Sequence, residues 1–562
     1  MFVSNRLISS SNDPILNQMN VAPMSIICVA PLRADVEDPL APKDTDEGNK
    51  KEEEKQPEFK IDVPGLFERR VEIPAPTANI TKVAMVGTKI IYATDDTVKS
   101  FDLVTKTGAD IASGTTFQLS ADSKSLLISP GNTVVGLSGE GKKTVNFSGL
   151  RLHVEPTKEW NQIFWDAWRH LRDYFYMENM NGLDWKGIGA KYSAYLPSVR
   201  SRDELDELIR WMQAEMGNSH EYLSPGDGQN IKTRVAGAFL GIELGIDPSG
   251  CYRIDKIFRG DGFNTAERSP LIGAGKNVTE GMFLLAIGGE PLSLDADPYE
   301  KLAGRAGKTV SVIVNSKPTM EGAKTYLIKP VASEGRMKYL SWVEANRTYV
   351  SQKSGGKLGY LHLAAMTAQD MNDFIRQYFY QRGKLGFVID GRFNNGGSVQ
   401  DYIIRILNER LTGLWNIRNS KESFTRQQDY FSGPMAMLIN EFDISCGEEF
   451  PHHFRDLKMG PLIGRRTMGG EVGSDPSWPL IDGGTINVPG YGMYTPDGKW
   501  AIEGKGVSPD IDVPSDPNDY INHRDPQIDK AIDYLLAEIK KHPTTNPPVP
   551  PAKDRLKNGG SI

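Results

Sequence analysis

The chain has 562 residues, enough for about three to five domains at roughly 100–200 residues each. Apolar residues make up 39% and charged residues 24%, which excludes a mostly disordered chain. The net charge of −7 argues against nucleic acid or an anionic membrane as the main partner.

Cys28, Cys251 and Cys446 are odd in number and far apart, so no disulfide framework or zinc knuckle can be read from them. A reducing compartment follows more simply. The apolar run Ala22 to Leu32 falls short of the roughly 20 residues a bilayer requires. It is a poor secretory signal, with only Arg6 ahead of it and no small-x-small site after it. A cytoplasmic protein is expected.

Residues 1–34 hold one strand-like run, Ser25–Val29. The stretch 35–58, with Lys50-Lys51-Glu52-Glu53-Glu54-Lys55, reads as an exposed charged linker. From about 60 to 154 come short strands: Lys82–Val86, Lys89–Ala93, Lys99–Leu103, Ser125–Ile128 and Thr133–Leu137. Their regular spacing predicts a partial, propeller-like β region over 1–154, too short for a full ring. At 157 the period becomes helical, with Trp160, Phe164, Trp168, Leu171 and Phe175. A second helix starts at the capping box Ser201-Arg-Asp-Glu204 and stops at Gly217. These define a helical domain over 155–231.

Residues 232–333 return to β pattern: Phe239–Leu244, Gly281–Gly289 and Gly307–Val314. Over 334–542 strands alternate with helices. Strands are expected at Lys357–Leu363, Leu385–Asp390 and Met435–Asn440, and helices at 368–382, 399–411, 447–457 and Ile528–Ile539. That alternation predicts a largely parallel sheet with its site at the strand C-terminal ends. A proline-rich tail, 543–562, reads as disordered. The fold class is multidomain α+β, with an α/β sandwich as its largest domain.

Three pieces carry chemistry. Ser219-His220 follows the helix stop at Gly217, Ser445 sits between a buried strand and a helix, and Glu503 lies in Ala-Ile-Glu503-Gly-Lys-Gly506. A serine hydroxyl needs an adjacent base to act as a nucleophile, and histidine titrates near neutrality. The imidazole in turn needs a third group to hold one tautomer. Backbone N–H groups at Gly396-Gly397 could meet an oxyanion. Each piece alone is more simply a turn residue, a structural histidine or a surface carboxylate, and spacing does not bring 220, 445 and 503 together.

Six motifs in order carry a resemblance. They are Gly217-Asn-Ser219-His220, the β domain, Asp390-x-Arg392-Phe-Asn394-x-Gly396-Gly397, Asn440-Glu441-x-x-x-Ser445-x-Gly447, Thr467-Met-Gly-Gly470 and Glu503-x-x-Gly506-Val-x-Pro509-Asp510. Over about 155–540 the chain resembles the C-terminal half of the tricorn proteases, tail-specific-protease-like serine peptidases of family S41. The resemblance implies a tetrad: Ser445 as nucleophile, His220 as base, and Ser219 linking the histidine to Glu503. It implies an oxyanion hole from the Gly396-Gly397 loop and the Cys446 N–H, with the choice between Gly396 and Gly397 open. Typical members carry aspartate where this chain has Cys446, which opens a rival thiol nucleophile. The segment 232–333 is similar to a PDZ domain, with Leu240, Gly241 and Ile242 as its peptide-binding stretch. The implied activity is a serine endopeptidase acting on unfolded polypeptides or oligopeptides through an acyl-enzyme, with no metal or organic cofactor. A ring-like homo-oligomer, a hexamer, is also implied. The rival on the same fold is a non-catalytic peptide-binding protein.

Overall fold

A computed structural model describes residues 2–13, 18–36, 38–41, 59–74, 79–137, 141–146, 149–226, 235–260, 264, 267–420, 423–426, 430–474, 477–543 and 547–551. Most of the charged stretch 35–58 and of the expected disordered tail lies outside the described residues. The chain divides into two compact units, Met1–His153 and Val154–Ile562.

The first unit is all β among its described residues. Phe2–Asp13 pairs with Gln18–Val29, so the strand-like run at Ser25–Val29 is the end of a longer strand. Two four-stranded antiparallel sheets follow, each with consecutive strands side by side. One holds Lys82–Val86, Lys89–Ala93, Thr97–Asp102 and Thr107–Ser113. The other holds Thr116–Leu119, Ser125–Ser129, Thr133–Gly136 and Lys142–Thr144. Thr107–Ser113 has no apolar alternation and escapes a sequence reading. Its ladder to Thr97–Asp102 makes it a strand.

The second unit opens with helices Pro156–Tyr174, Trp185–Ser193 and Arg202–Ala214. Ile163, Phe164, Ala167 and Leu171 line one stripe of the first and bury against Leu205, Leu208, Ile209 and Met212 of the third. The Ser201 hydroxyl caps the third helix by accepting the Glu204 N–H at 3.2 Å. The expected capping box is only half made, because the Glu204 carboxylate takes the Arg200 N–H and not that of Ser201. Gly217, at φ +63°, turns the chain out of the helix toward Ser219.

The next domain is an antiparallel sheet in the order Ile242–Ile246, Tyr252–Ile257, Phe283–Ile287, Val310–Asn315, Lys324–Ile328. The expected strand at Phe239–Leu244 starts only at Ile242, since Gly241 takes a left-handed φ. Phe239 instead bridges to Val331, tying the two ends of the domain.

Helix Gly335–Lys353 is absent from the sequence reading because its apolar residues form no continuous stripe. Val343 and Val350 pack it onto Leu358 and Tyr360 of the parallel sheet. That sheet runs Leu358–His362, Gly386–Asp390, Met435–Ile439, Leu462–Gly464, Ile511–Asp512, with every pairing parallel. Phe387 and Ile389 face helices Ala368–Tyr380, Gln400–Leu407 and Cys446–Asp456. Val388 and Leu438 face Pro526–Lys541 on the other side. Helix 399–411 is shorter than expected, ending at Leu407 with Asn408 as its cap. Among the described residues no helix is long and apolar enough to cross a membrane.

Candidate active site

Two loops leave the C-terminal ends of adjacent parallel strands. One, Asp390 to Gly397, follows Gly386–Asp390; the other, Asn440 to Ser445, follows Met435–Ile439. A backbone hydrogen bond and a buried carboxylate join them. The Ile444 N–H donates to the Asn394 carbonyl at 3.0 Å, and Asp443 Oδ1 accepts the Asn394 N–H at 3.3 Å. The Asp390–Arg392 pair beneath is fully buried, and Arg392 also reaches Asp525 and Gln527.

Ser445 stands at the N-cap of helix Cys446–Asp456 with φ +59° and ψ −133°. That backbone is costly for a non-glycine residue, and such turns expose a serine hydroxyl at a sheet end. Gly396 lies against it: a Cβ on Gly396 would come within 2.6 Å of Ser445 Cβ and 3.0 Å of its Oγ. The Gly396 N–H is already donated to Asn394 Oδ1 at 2.9 Å. Gly397 forms a parallel bridge with Met366 in which its neighbours make the bonds, Gly396 accepting and Ser398 donating. Its own N–H has no acceptor among the described residues. Cys446 is the first helical residue, so its N–H has no acceptor within the helix.

The Cys446 side chain is buried, and its thiol donates to the Gly397 carbonyl at 2.9 Å. Burial, with Glu449 nearby, pushes that thiol up to about 12. At neutral pH it is protonated, which removes the basis for a thiolate nucleophile.

Ser219, His220 and Glu503 form one hydrogen-bonded chain. Ser219 Oγ lies 2.9 Å from His220 Nδ1 and donates to Glu503 Oε2 at 3.0 Å. Glu503 Oε1 accepts the Ser219 N–H at 2.7 Å, and Oε2 also accepts the N–H groups of Glu471 and Val472. With its oxygens on four donors, Glu503 accepts a hydrogen bond from the one Ser219 hydroxyl proton. The Ser219 lone pair then faces Nδ1–H, leaving Nε2 unprotonated. Burial holds the His220 imidazole below its ordinary range, against the opposing pull of Glu503. Its φ of +60° is strained as well. Next to it, Glu221 is pushed up to about 8, by burial first and by Glu503 as well.

Gly470 connects the serine–histidine pair to Ser445. Its carbonyl accepts the Ser445 N–H at 2.7 Å, and a Cβ on it would lie 3.2 Å from Ser219 Cβ. Glu448, buried in the first turn of the Ser445 helix, fixes this segment. It accepts the N–H groups of Gly469 and Gly470 at 2.7 and 2.6 Å and the Thr467 hydroxyl. Sequence reasoning gave Glu448 no role. Its signal was a carboxylate three residues after the serine, facing inward on the same helix. Leu240, Gly241 and Ile242 lie at the start of the antiparallel-sheet domain. Leu240 and Ile242 are buried, and the Tyr299 hydroxyl donates to the Ile242 carbonyl at 3.3 Å.

Residues 357–513 match the description "Peptidase family S41", residues 156–214 "Tricorn protease C1 domain" and residues 238–333 "Tricorn protease PDZ domain". The chain belongs to the S41 serine peptidases. Within them it corresponds to the C-terminal part of the tricorn proteases, with C1, PDZ and peptidase domains in that order. It is 34% identical over 460 residues to a putative tricorn-like protease C-terminal subunit of Sulfurisphaera tokodaii, covering 81% of this chain and 51% of that one. It is 34% identical over 405 residues to tricorn protease homolog 1 of Streptomyces coelicolor, covering 72% and 38%. With the tricorn protease of Thermoplasma acidophilum it shares 30% over 446 residues, covering 78% and 41%. A crystal structure of the tricorn protease superposes with a TM-score of 0.84 at 26% identity, over 96% of this chain and 53% of that one. The chain thus spans about half or less of the length of these relatives.

Proposed function

We propose that the protein is a serine endopeptidase that hydrolyses peptide bonds of unfolded polypeptides or oligopeptides through an acyl-enzyme. The observation that carries this reading is the Glu503–Ser219–His220 chain, held through Gly470 beside a serine on a strained strand-to-helix turn.

Ser445 Oγ attacks the substrate carbonyl carbon while His220 Nε2 takes its proton. The oxygen that gains negative charge accepts the N–H groups of Gly397 and Cys446, since the Gly396 N–H is already committed to Asn394. The new imidazolium gives its proton to the leaving amine, and the acyl group stays on Ser445. Water, deprotonated by His220, then releases the acid. Ser219 passes the carboxylate's influence to the histidine, so the Nδ1 proton stays in place throughout. Leu240 and Gly241 serve peptide docking in this reading, because their N–H groups have no acceptor among the described residues. Assembly into a ring-like homo-oligomer, a hexamer, belongs to the same reading and rests on the resemblance alone.

The test is hydrolysis of casein and fluorogenic peptides by the purified chain and by Ser445→Ala. Equal turnover by the two would overturn the assignment, as would labelling of Cys446 rather than Ser445 by a serine-directed phosphonate.

A further inference from the structure

Two exposed phenylalanine rings sit on the loops that carry Gly396 and Ser445, and the backbone under one of them is strained. Phe393 lies three residues ahead of Gly396 and has φ +65°. Left-handed backbone suits Gly or Asn and is an outlier for a bulky side chain. Core packing does not account for it, since Phe393 is 39% exposed. Its ring stacks on Phe442, three residues ahead of Ser445, with centroids 5.5 Å and planes 18° apart. Phe442 is itself 54% exposed.

Buried polar groups hold this pair. Asn440 Oδ1 accepts the N–H groups of both phenylalanines, at 3.0 and 3.2 Å. Asp443 Oδ2 accepts the Asn440 N–H at 3.0 Å. The Asp443 carbonyl accepts the N–H of Met468, another half-exposed apolar residue, at 3.1 Å. The three loops that carry Gly396-Gly397, Ser445 and Gly470 therefore each present one apolar side chain to solvent. Polar residues would suit those positions better if solvent were their only neighbour, and Gly or Asn at 393 would relieve the backbone. Exposed apolar side chains on the same loops as the site residues are explained by an apolar ligand that covers them.

We propose that Phe393, Phe442 and Met468 form a subsite for an apolar side chain of the bound peptide, so that Leu- or Phe-bearing segments are preferred. This rests on the peptidase reading and deepens it. Folded proteins bury such side chains and unfolded ones offer them, so the subsite itself selects unfolded chains.

Binding is measured on the Ser445→Ala protein, so the result does not depend on turnover. The probes are two fluorescein-labelled decapeptides, identical except for Leu and Phe or Ser and Thr at their central positions, read by anisotropy. Phe393→Asn and Phe442→Ser are compared in that background. Each is expected to weaken binding of the Leu/Phe peptide about tenfold and of the Ser/Thr peptide less than about twofold. Phe393→Asn should be at least as heat-stable as its parent, because Asn accepts the left-handed backbone. Equal losses for both peptides, or unchanged binding of the Leu/Phe peptide, would overturn the subsite. So would a fall in sedimentation mass with unchanged affinity, which would assign the rings to contact between copies. Failure of the peptidase reading shows separately, as the absence of Ser445-dependent hydrolysis.

Discussion

Glu448 and Glu503 between them accept the four successive amides of Gly469, Gly470, Glu471 and Val472. Glu448 rides on the helix behind Ser445, and Glu503 orients Ser219. The segment they grip sets one half of the site against the other, through the Gly470 carbonyl on the Ser445 N–H. Glu448→Gln keeps the size but offers one acceptor oxygen where two were used. It is expected to lower kcat about 10–100-fold with KM nearly unchanged, and to cost about 1–3 kcal/mol of stability. Steady-state kinetics and denaturant melts on the same protein check both. A change in KM alone would contradict the positioning role.

Removing the base should cost more than removing its tether. His220→Ala is expected to slow peptide hydrolysis about 10²–10⁴-fold, the usual span for general acid–base catalysis. Ser219→Ala leaves Nε2 chemistry in place but frees the tautomer, so its loss should be smaller, about 10–100-fold. The comparison is made with one fluorogenic peptide at saturating concentration. A Ser219→Ala protein with parental kcat would show that the link to Glu503 is idle.

The acid limb of the pH–rate profile should lie below the ordinary imidazole range. Burial lowers the His220 pKa, so the neutral, proton-accepting form persists into mildly acid solution. Activity is then lost only as pH falls through that lowered value. A limb at or above about 6.5, the unperturbed histidine value, would contradict the assigned environment.

Cys446→Ala should retain hydrolysis within about threefold. Its thiol is buried and pushed up to about 12, and the backbone N–H assigned to the oxyanion survives the substitution. Iodoacetamide at neutral pH should likewise leave the parent active. Rapid inactivation with modification at Cys446 would count against this account.

Glu471 is buried, and burial pushes its carboxyl up to about 7, with Glu449, Glu503 and Glu448 adding repulsion. The folded state therefore binds a proton that the unfolded chain releases near the ordinary carboxyl range. By linkage, this group's contribution is fully present below about pH 4.5 and is lost as pH rises through about 7. Glu471→Gln should thus gain in melting temperature at pH 9 relative to the parent, and gain little at pH 5. Thermal melts at the two values decide it. A larger gain at pH 5 would reverse the sign of the argument.

Three strands of the parallel sheet were readable because they are continuous apolar runs, such as Leu385–Asp390 and Met435–Asn440; Leu462–Gly464 and Ile511–Asp512 are too short to carry a pattern. Helix Gly335–Lys353 was not, because its polar and apolar residues are mixed all round and its stability comes from packing on Leu358 and Tyr360. Ser219, His220, Ser445 and Glu503 could be named from local motifs and resemblance. The choice between Gly396 and Gly397 could not, since it depends on which N–H Asn394 has already taken. Glu448 offered only its place three residues after the serine, which does not reveal what it holds. Its partners lie 19 to 22 residues further on, and only the folded loop brings them back.

The link from Ser219 to Glu503 closes a loop of 284 residues with the whole PDZ domain inside it. During synthesis the histidine leaves the ribosome long before the serine it is to serve, and the last carboxylate comes later still. The proposed site therefore cannot be complete until Glu503 has left the ribosome, so the order of the gene itself delays its assembly.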